Sequence, residues 1–362
     1  MKYIDEFRIP DTVKNLAIRI RDERGRHTFM EVCGTHTMAV SRFGLRGLLA
    51  PNVEVLSGPG CPVCVTTQEG IDRAIEIAFK PGVILTTFGD MMKVPGSRGS
   101  LSTAQAQKAR VKVVYSPLEA VEFALKEQDF DIVFLGVGFE TTAPTVAAAI
   151  LEARKRNLKN FYVLSLLKLV PPALRALATL PDFKVDGLIL PGHVSAVIGS
   201  KVYSFLVQEF GLPCVIAGFE PSDIMNAILT LIRMGKEGPD VEVEYSRVVR
   251  PEGNQRAVSI MKEVFEESDV RWRGLGNIPS SGLSIREEFR DFDAGMWEIE
   301  LPFVSENKAC RCGDVLCGRI RPYECPLFEK VCTPDEPVGP CMVSSEGTCA
   351  AYYIYERDFI DS

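Results

Sequence analysis

Ile132-Val-Phe-Leu-Gly-Val-Gly-Phe-Glu-Thr-Thr-Ala-Pro144 runs from a short apolar segment, through a glycine-bearing loop, into a helical stretch. The same order recurs along the first two thirds of the chain. Apolar runs at Thr28–Val32, Val53–Leu56, Val83–Thr87, Val111–Tyr115, Phe161–Leu166, Leu188–Leu190 and Cys214–Ala217 each end in a glycine-rich or polar loop, and helical patterns lie between them. Strand, loop, helix, strand at this spacing predicts parallel sheets covered by helices, an α/β class.

The intervening helices have readable ends. Ser116-Pro-Leu-Glu119 and Thr66-Thr-Gln-Glu69 read as capping boxes, the first with proline at the opening helical position. Residues 11–23 form a surface helix. Helices over 194–210 and 222–234 are expected to close at Gly211 and Gly235. Gly138-Phe-Glu140 and Gly218-Phe-Glu220 form a weak internal echo, each after a strand.

With 362 residues there is length for two or three domains of roughly 100–200 residues. The expected division is 1–110, 111–236 and 237–362, with a linker at Lys236-Glu-Gly-Pro-Asp240 and the leading helix packed on the C-terminal domain. Strands are expected at Glu242–Val249 and Trp297–Leu301, with a helix at Asn254–Ser268 between them.

Hydrophobic content of 46% and charged content of 25% suit an ordinary packed core. The net charge of −7 comes with interspersed signs and no basic stripe, which argues against nucleic acid. No apolar run approaches the roughly 20 residues of a membrane span. Met1–Arg8 carries charges where a signal peptide needs an apolar core. The expectation is a cytoplasmic protein, in which clustered cysteines bind metal or do chemistry rather than form structural disulfides.

Ligands of open parallel sheets bind at the carboxyl ends of strands. That rule nominates Cys33-Gly-Thr-His36, Cys61-Pro-Val-Cys64, Asp90, Glu140 and His193, each in or beside a glycine-bearing loop. A histidine near Cys33 can make the thiol a nucleophile or soft ligand, although a single buried thiol is commonly structural. Cys61 and Cys64, after a strand and ahead of a helix, read as a thiol–disulfide pair. The competing reading is half of a zinc site, but no second Cys-x-x-Cys exists. Asp90 and Glu140 could be acid–base groups or helix caps. Of the three histidines, His27 reads as structural, while His36 and His193 read as functional. Gly136-Val-Gly-Phe-Glu-Thr is not a dinucleotide fingerprint, and Cys214 opens a core strand.

Seven of the eleven cysteines, Cys310, Cys312, Cys317, Cys325, Cys332, Cys341 and Cys349, fall in one glycine- and proline-punctuated tail. The tail has little apolar material of its own, so cysteine ligation is expected to order it. Four thiolates suffice for a [4Fe–4S] cluster or a zinc ion, and the surplus could form a redox disulfide.

Cys33-Gly-Thr-His36, Gly58-Pro-Gly-Cys-Pro-Val-Cys64, Gly138-Phe-Glu-Thr-Thr-Ala-Pro144, Pro191-Gly-His-Val-Ser-Ala-Val-Ile-Gly199 and Pro340-Cys-Met-Val-Ser-Ser-Glu-Gly-Thr-Cys-Ala-Ala-Tyr-Tyr353, in this order, resemble the HypD family of [NiFe]-hydrogenase maturation factors. The resemblance implies two α/β domains around a cleft and a third, α+β, cysteine-rich iron–sulfur domain. It implies a scaffold for the Fe(CN)2CO unit of the hydrogenase, working with the chaperone HypC and with HypE, which brings cyanide. Cys33 would hold the iron together with a HypC cysteine, with His36 beside it. Cys61 and Cys64 would exchange electrons with a [4Fe–4S] cluster, and Glu140 and His193 would line the cleft. Four of Cys312, Cys325, Cys332, Cys341 and Cys349 would hold the cluster, with Cys310 and Cys317 not both ligands. The alternatives are an iron–sulfur thiol–disulfide oxidoreductase similar to ferredoxin:thioredoxin reductase, and a zinc-stapled binding module.

Overall fold

A computed structural model describes residues 10–301 and 307–357. The Met1–Arg8 segment, read above for its charges, lies outside the described residues. The eight apolar runs become strands β1 (His27–Glu31), β2 (Val53–Ser57), β3 (Val83–Thr87), β4 (Val111–Val113), β5 (Asp131–Gly136), β6 (Phe161–Ser165), β7 (Gly187–Pro191) and β8 (Cys214–Ala217). A short β9 (Val241–Val243) follows. β5 and β7 are buried almost throughout, as continuous apolar runs require when helices cover both faces of a sheet.

The strands form two parallel sheets, ordered β2-β1-β7-β8-β9 and β4-β3-β5-β6. The fold is α/β. This order overturns the expected boundary near Val111. Leu85 of β3 pairs with Val111 of β4, so that break would cut one sheet. Phe29, Met30 and Glu31 of β1 pair with Gly187, Leu188 and Ile189 of β7. The unit with β3–β6 is therefore inserted between the two parts of the unit built on β1 and β7.

The leading helix, Pro10–Asp22, also lies elsewhere than expected. Its buried Val13, Leu16, Ala17 and Ile20 share a core with Ile224, Ile228 and Leu231 of the helix Pro221–Glu237, over one face of the first sheet. That helix runs through Gly235 and stops at Gly238, whose φ of 119° is the left-handed break. Residues 194–210 are two helices, Gly192–Ile198 and Ser204–Phe210, parted at Gly199. There φ is 86°, and a Cβ would stand 2.3 Å from the carbonyl oxygen of Pro251. Ser116 caps its helix as expected, accepting from the Glu119 amide. Thr67, not Thr66, caps Gln68–Phe79, because the Thr66 hydroxyl donates back to Pro62.

Residues 254–301 depart most from expectation. The helix ends at Val264, where buried Phe265 opens an antiparallel hairpin, β10 (Phe265–Trp272) with β11 (Gly276–Ile285). Trp297–Leu301 makes no strand, and the carbonyl of Trp297 accepts from the Arg73 guanidinium at 2.6 Å instead of from a neighbouring strand. The cysteine-rich segment 307–357 holds two short α-helices, Cys312–Leu316 and Thr348–Tyr355, two single 3-10 turns, Pro322–Glu324 and Pro340–Met342, and otherwise loops. The helix Thr348–Tyr355 lies against Gly34–Arg42, which follows β1. Among the described residues no helix is long and apolar enough to cross a membrane.

Candidate functional site

Strand order reverses between β1 and β7 in one sheet and between β3 and β5 in the other. Such switch points open a crevice at the carboxyl ends of the strands. Cys33 and His36 leave β1, His193 leaves β7, Asp90 leaves β3 and Glu140 leaves β5. Cys61 and Cys64 leave β2, beside β1.

Cys33 is the N-cap residue of Gly34–Arg42. Burial pushes its thiol up to about 12, although the amides of His36 and Thr35 at the helix start favour the thiolate. Beneath it lies Glu31, a residue the sequence reading did not single out. Burial holds its carboxyl up at about 7, against hydrogen bonds from the Thr37 and Ser57 hydroxyls and the Cys33 amide. The loop after β2 is pressed onto this one. The Gly34 amide donates to the Gly60 carbonyl at 2.9 Å, and a Cβ on Gly60 would stand 2.1 Å from the Cys33 nitrogen.

His36 is fully buried, and burial lowers it to about 4, so the ring is neutral. Its Nε2 lies 2.8 Å from the Gly218 carbonyl, which fixes the proton on that nitrogen. Nδ1 is left without a partner. Phe219 packs between His36 and His193, with ring centroids 4.8 and 4.0 Å away. The second Gly-Phe-Glu element thus supplies the ring that joins the two site histidines.

Cys61 caps the short helix Pro62–Val65, and Cys64 lies within it. The two thiols titrate as a pair. Burial and the neighbouring Cys64 drive Cys61 well up, whereas hydrogen bonding from Cys341 and Cys61 overcomes burial and draws Cys64 below the ordinary thiol range. Cys341 is also hydrogen-bonded to Cys312 and Cys349. Cys310, Cys312, Cys325, Cys332, Cys341 and Cys349 line one pocket whose remaining wall is largely apolar. Cys317 does not line it and sits near Arg319 and Asp314. The thiols surround a space rather than a point: among the described residues no three His, Cys, Asp or Glu side chains converge on one ion position.

Glu346, from the Ser-Ser-Glu-Gly turn of the tail, is the second residue the sequence reading missed. Its side chain lies over Gly34 and accepts from the Thr35 hydroxyl at 2.7 Å. Its charge reaches Cys33, Cys61, Cys64, Asp90 and His193, which locates all five around one spot. The only hint in the sequence was its place between two tail cysteines.

Glu140 faces elsewhere. Its Oε1 accepts from the Val170 amide at 2.9 Å, Oε2 has no partner, and burial holds the carboxyl up at about 7. It lines an apolar pocket with Leu169, Pro171, Ile198, Met261 and Phe265. Buried Tyr203 lies within reach of the charges of both Glu140 and Cys33.

The family model named HypD and described as "Hydrogenase formation hypA family" matches residues 11–356. The chain belongs to the HypD family of hydrogenase maturation factors. This HypD-family chain is 46% identical to "Hydrogenase maturation factor HypD" of Azotobacter vinelandii, over 99% of the chain and 97% of that relative. It is 45% identical to the protein of that name from Cupriavidus necator, over 99% and 98%. It is 43% identical to the one from Escherichia coli (strain K12), over 99% of each.

Proposed function

We propose that this chain is the scaffold and redox centre on which the Fe(CN)2CO unit of the [NiFe]-hydrogenase active site is assembled, in the cytoplasm. The observation that carries the reading is the convergence of Cys33, the Cys61/Cys64 pair and the cysteine pocket at one set of loops. Cys64 touches the pocket through Cys341, and Glu346 ties the tail to the Cys33 loop.

The cargo is iron, and a soft thiolate suits an iron carrying cyanide and carbon monoxide. Cys33 would hold it together with a cysteine of HypC, while HypE brings cyanide in a ternary complex. The Cys33 thiol holds its proton when free, so iron binding must displace that proton, helped by the amides of Thr35 and His36. His36 stays neutral and offers its unpartnered Nδ1 as an acceptor beside the loop. Cys64 is the reactive thiol of its pair. On closing a disulfide with Cys61, the pair releases two electrons and the protons the thiols still hold.

The pocket fits a [4Fe–4S] cluster by its donor set, soft sulfur in an apolar wall. Four of Cys312, Cys325, Cys332, Cys341 and Cys349 would hold it. The cluster would supply one-electron reducing equivalents, two of which return the Cys61–Cys64 disulfide to the dithiol.

The depressed Cys64 thiol also suits a thiol–disulfide oxidoreductase with Cys33 incidental, and one experiment separates the two. Infrared spectra of the chain co-purified anaerobically with HypC are expected to show cyanide and carbonyl stretching bands that Cys33→Ala abolishes. Bands that survive Cys33→Ala would overturn the iron role of Cys33, and no bands in the wild type would favour the oxidoreductase.

A further inference from the structure

Arg273 is 5% exposed, yet its Nη1 has no hydrogen-bond partner and, among the described residues, its guanidinium forms no ion pair. A buried, unpaired cation is costly, so a folded chain keeps one where a negative group balances it. The position of Arg273 identifies that group.

Arg273 opens the three-residue turn between β10 and β11. Its amide donates to the carbonyl of Val65 at 2.9 Å, one residue past Cys64. The next residue, Gly274, has a φ of 80° and packs backbone to backbone on Gly313, one residue past Cys312. A Cβ there would stand 2.3 Å from the Gly313 Cα. The turn is thus wedged between the dithiol and the cysteine pocket. Trp272 anchors it from behind, with its indole nitrogen donating to Ser281 at 2.8 Å and its ring stacked on Phe139. The positive charge of Arg273 reaches Cys310, which lines the pocket.

We propose that Arg273 is a positioning residue for redox chemistry. Its buried guanidinium compensates the negative charge of the thiolate-held group in the cysteine pocket and raises that group's reduction potential. The proposal rests on the reading of that group as an iron–sulfur cluster. A cluster held by four thiolates is anionic and gains one further negative charge on reduction. A nearby cation therefore stabilises the reduced form more than the oxidised form. Because the site is buried, the effect is little screened by salt.

The test is a potentiometric titration of the anaerobically purified full-length chain, followed by electron paramagnetic resonance, with iron and sulfide measured on the same samples. Arg273→Met is expected to keep its iron and shift the reduction equilibrium about tenfold or more toward the oxidised cluster, ~59 mV more negative for a one-electron couple. Arg273→Lys is expected to return most of that shift. A Met variant within about twofold of wild type overturns the proposal, as does a Lys variant shifted as far as Met. Should Arg273→Met not hold iron, Arg273→Lys decides: iron and a near-wild-type potential support the proposal, and loss of iron there overturns it. Iron-free wild type overturns the cluster reading and this inference together. Unchanged potentials with full iron overturn this inference alone.

Discussion

At the scale of single residues, burial shifts His36, Glu31 and Glu140 toward their neutral forms. His36 is neutral because burial lowers it to about 4, and Glu31 and Glu140 are raised to about 7 by the same cause. The stability consequences have opposite signs. The unfolded chain protonates histidine near 6.5, so the contribution of His36 is fully present above that value and is lost as pH falls toward 4. Between pH 7 and pH 5 the loss is about 2 kcal/mol. Glu31 and Glu140 destabilise the fold as pH rises through roughly 4.5 to 7, because the unfolded carboxyls ionise first. The wild-type curve mixes the two, and a difference isolates His36. Urea unfolding of wild type and His36→Gln is expected to give a stability gap about 2 kcal/mol smaller at pH 5 than at pH 7. An equal gap at both values would mean that His36 is not the neutral, buried ring described.

At the scale of elements, the strands were legible because most are buried apolar runs, six of the first eight leading into a glycine (β4 and β6 do not), and the chemistry sits where those six stop. What chain order could not convey is which strand lies beside which. β1 finds β7, some 160 residues on, through packing that leaves no local trace. The hairpin at 265–285 was hidden for another reason: Phe265-Glu-Glu-Ser268 continues a helical pattern, and only pairing with Ile285 turns it into a strand. One close approach between elements is open to test. Gly60 lets the loop after β2 lie against the backbone of Cys33, and no rotamer change can relieve a Cβ at 2.1 Å from a main-chain nitrogen. Gly60→Ala is expected to separate the two loops, lose the Gly34–Gly60 hydrogen bond and cost about 2–4 kcal/mol. Thermal unfolding reads the cost, and alkylation of Cys33 and Cys61 reads the opening. A variant with wild-type Tm and thiol reactivity would show that the loops are not pressed together.

At the scale of the whole molecule, the tail is a strap laid across the loops of the first sheet. Thr35–Glu346 is one fastening, and Arg46, paired with Glu356 and placed 4.5 Å over the Tyr352 ring, is another. Arg321 pairs with Glu54, and Arg319 with Asp182. The more exposed pairs, Arg321–Glu54 and Arg319–Asp182, contribute about 0–1 kcal/mol each, and with the two part-buried fastenings they are too few to order some fifty glycine- and proline-punctuated residues. The sequence already pointed to the thiols as the ordering agent, but not to Glu346, whose place over Gly34 arises from contact across some 300 residues. If ligation orders the strap, removing metal should release it and leave the strands and helices before residue 301 folded but less stable, because one face of each sheet is covered by residues before 301 while the other shares its core with Leu316, Phe328 and Met342 of the strap. Anaerobic chain stripped with a chelator is expected to become protease-sensitive within 307–357, yielding a resistant fragment of about 300 residues that keeps the parallel-sheet circular dichroism. Repletion with iron and sulfide should restore protection. Equal protection of 307–357 with and without metal would mean that packing alone holds the strap. Glu346 would then stay over the Cys33 loop whatever the pocket contains, and the metal would lose its part in shaping the site.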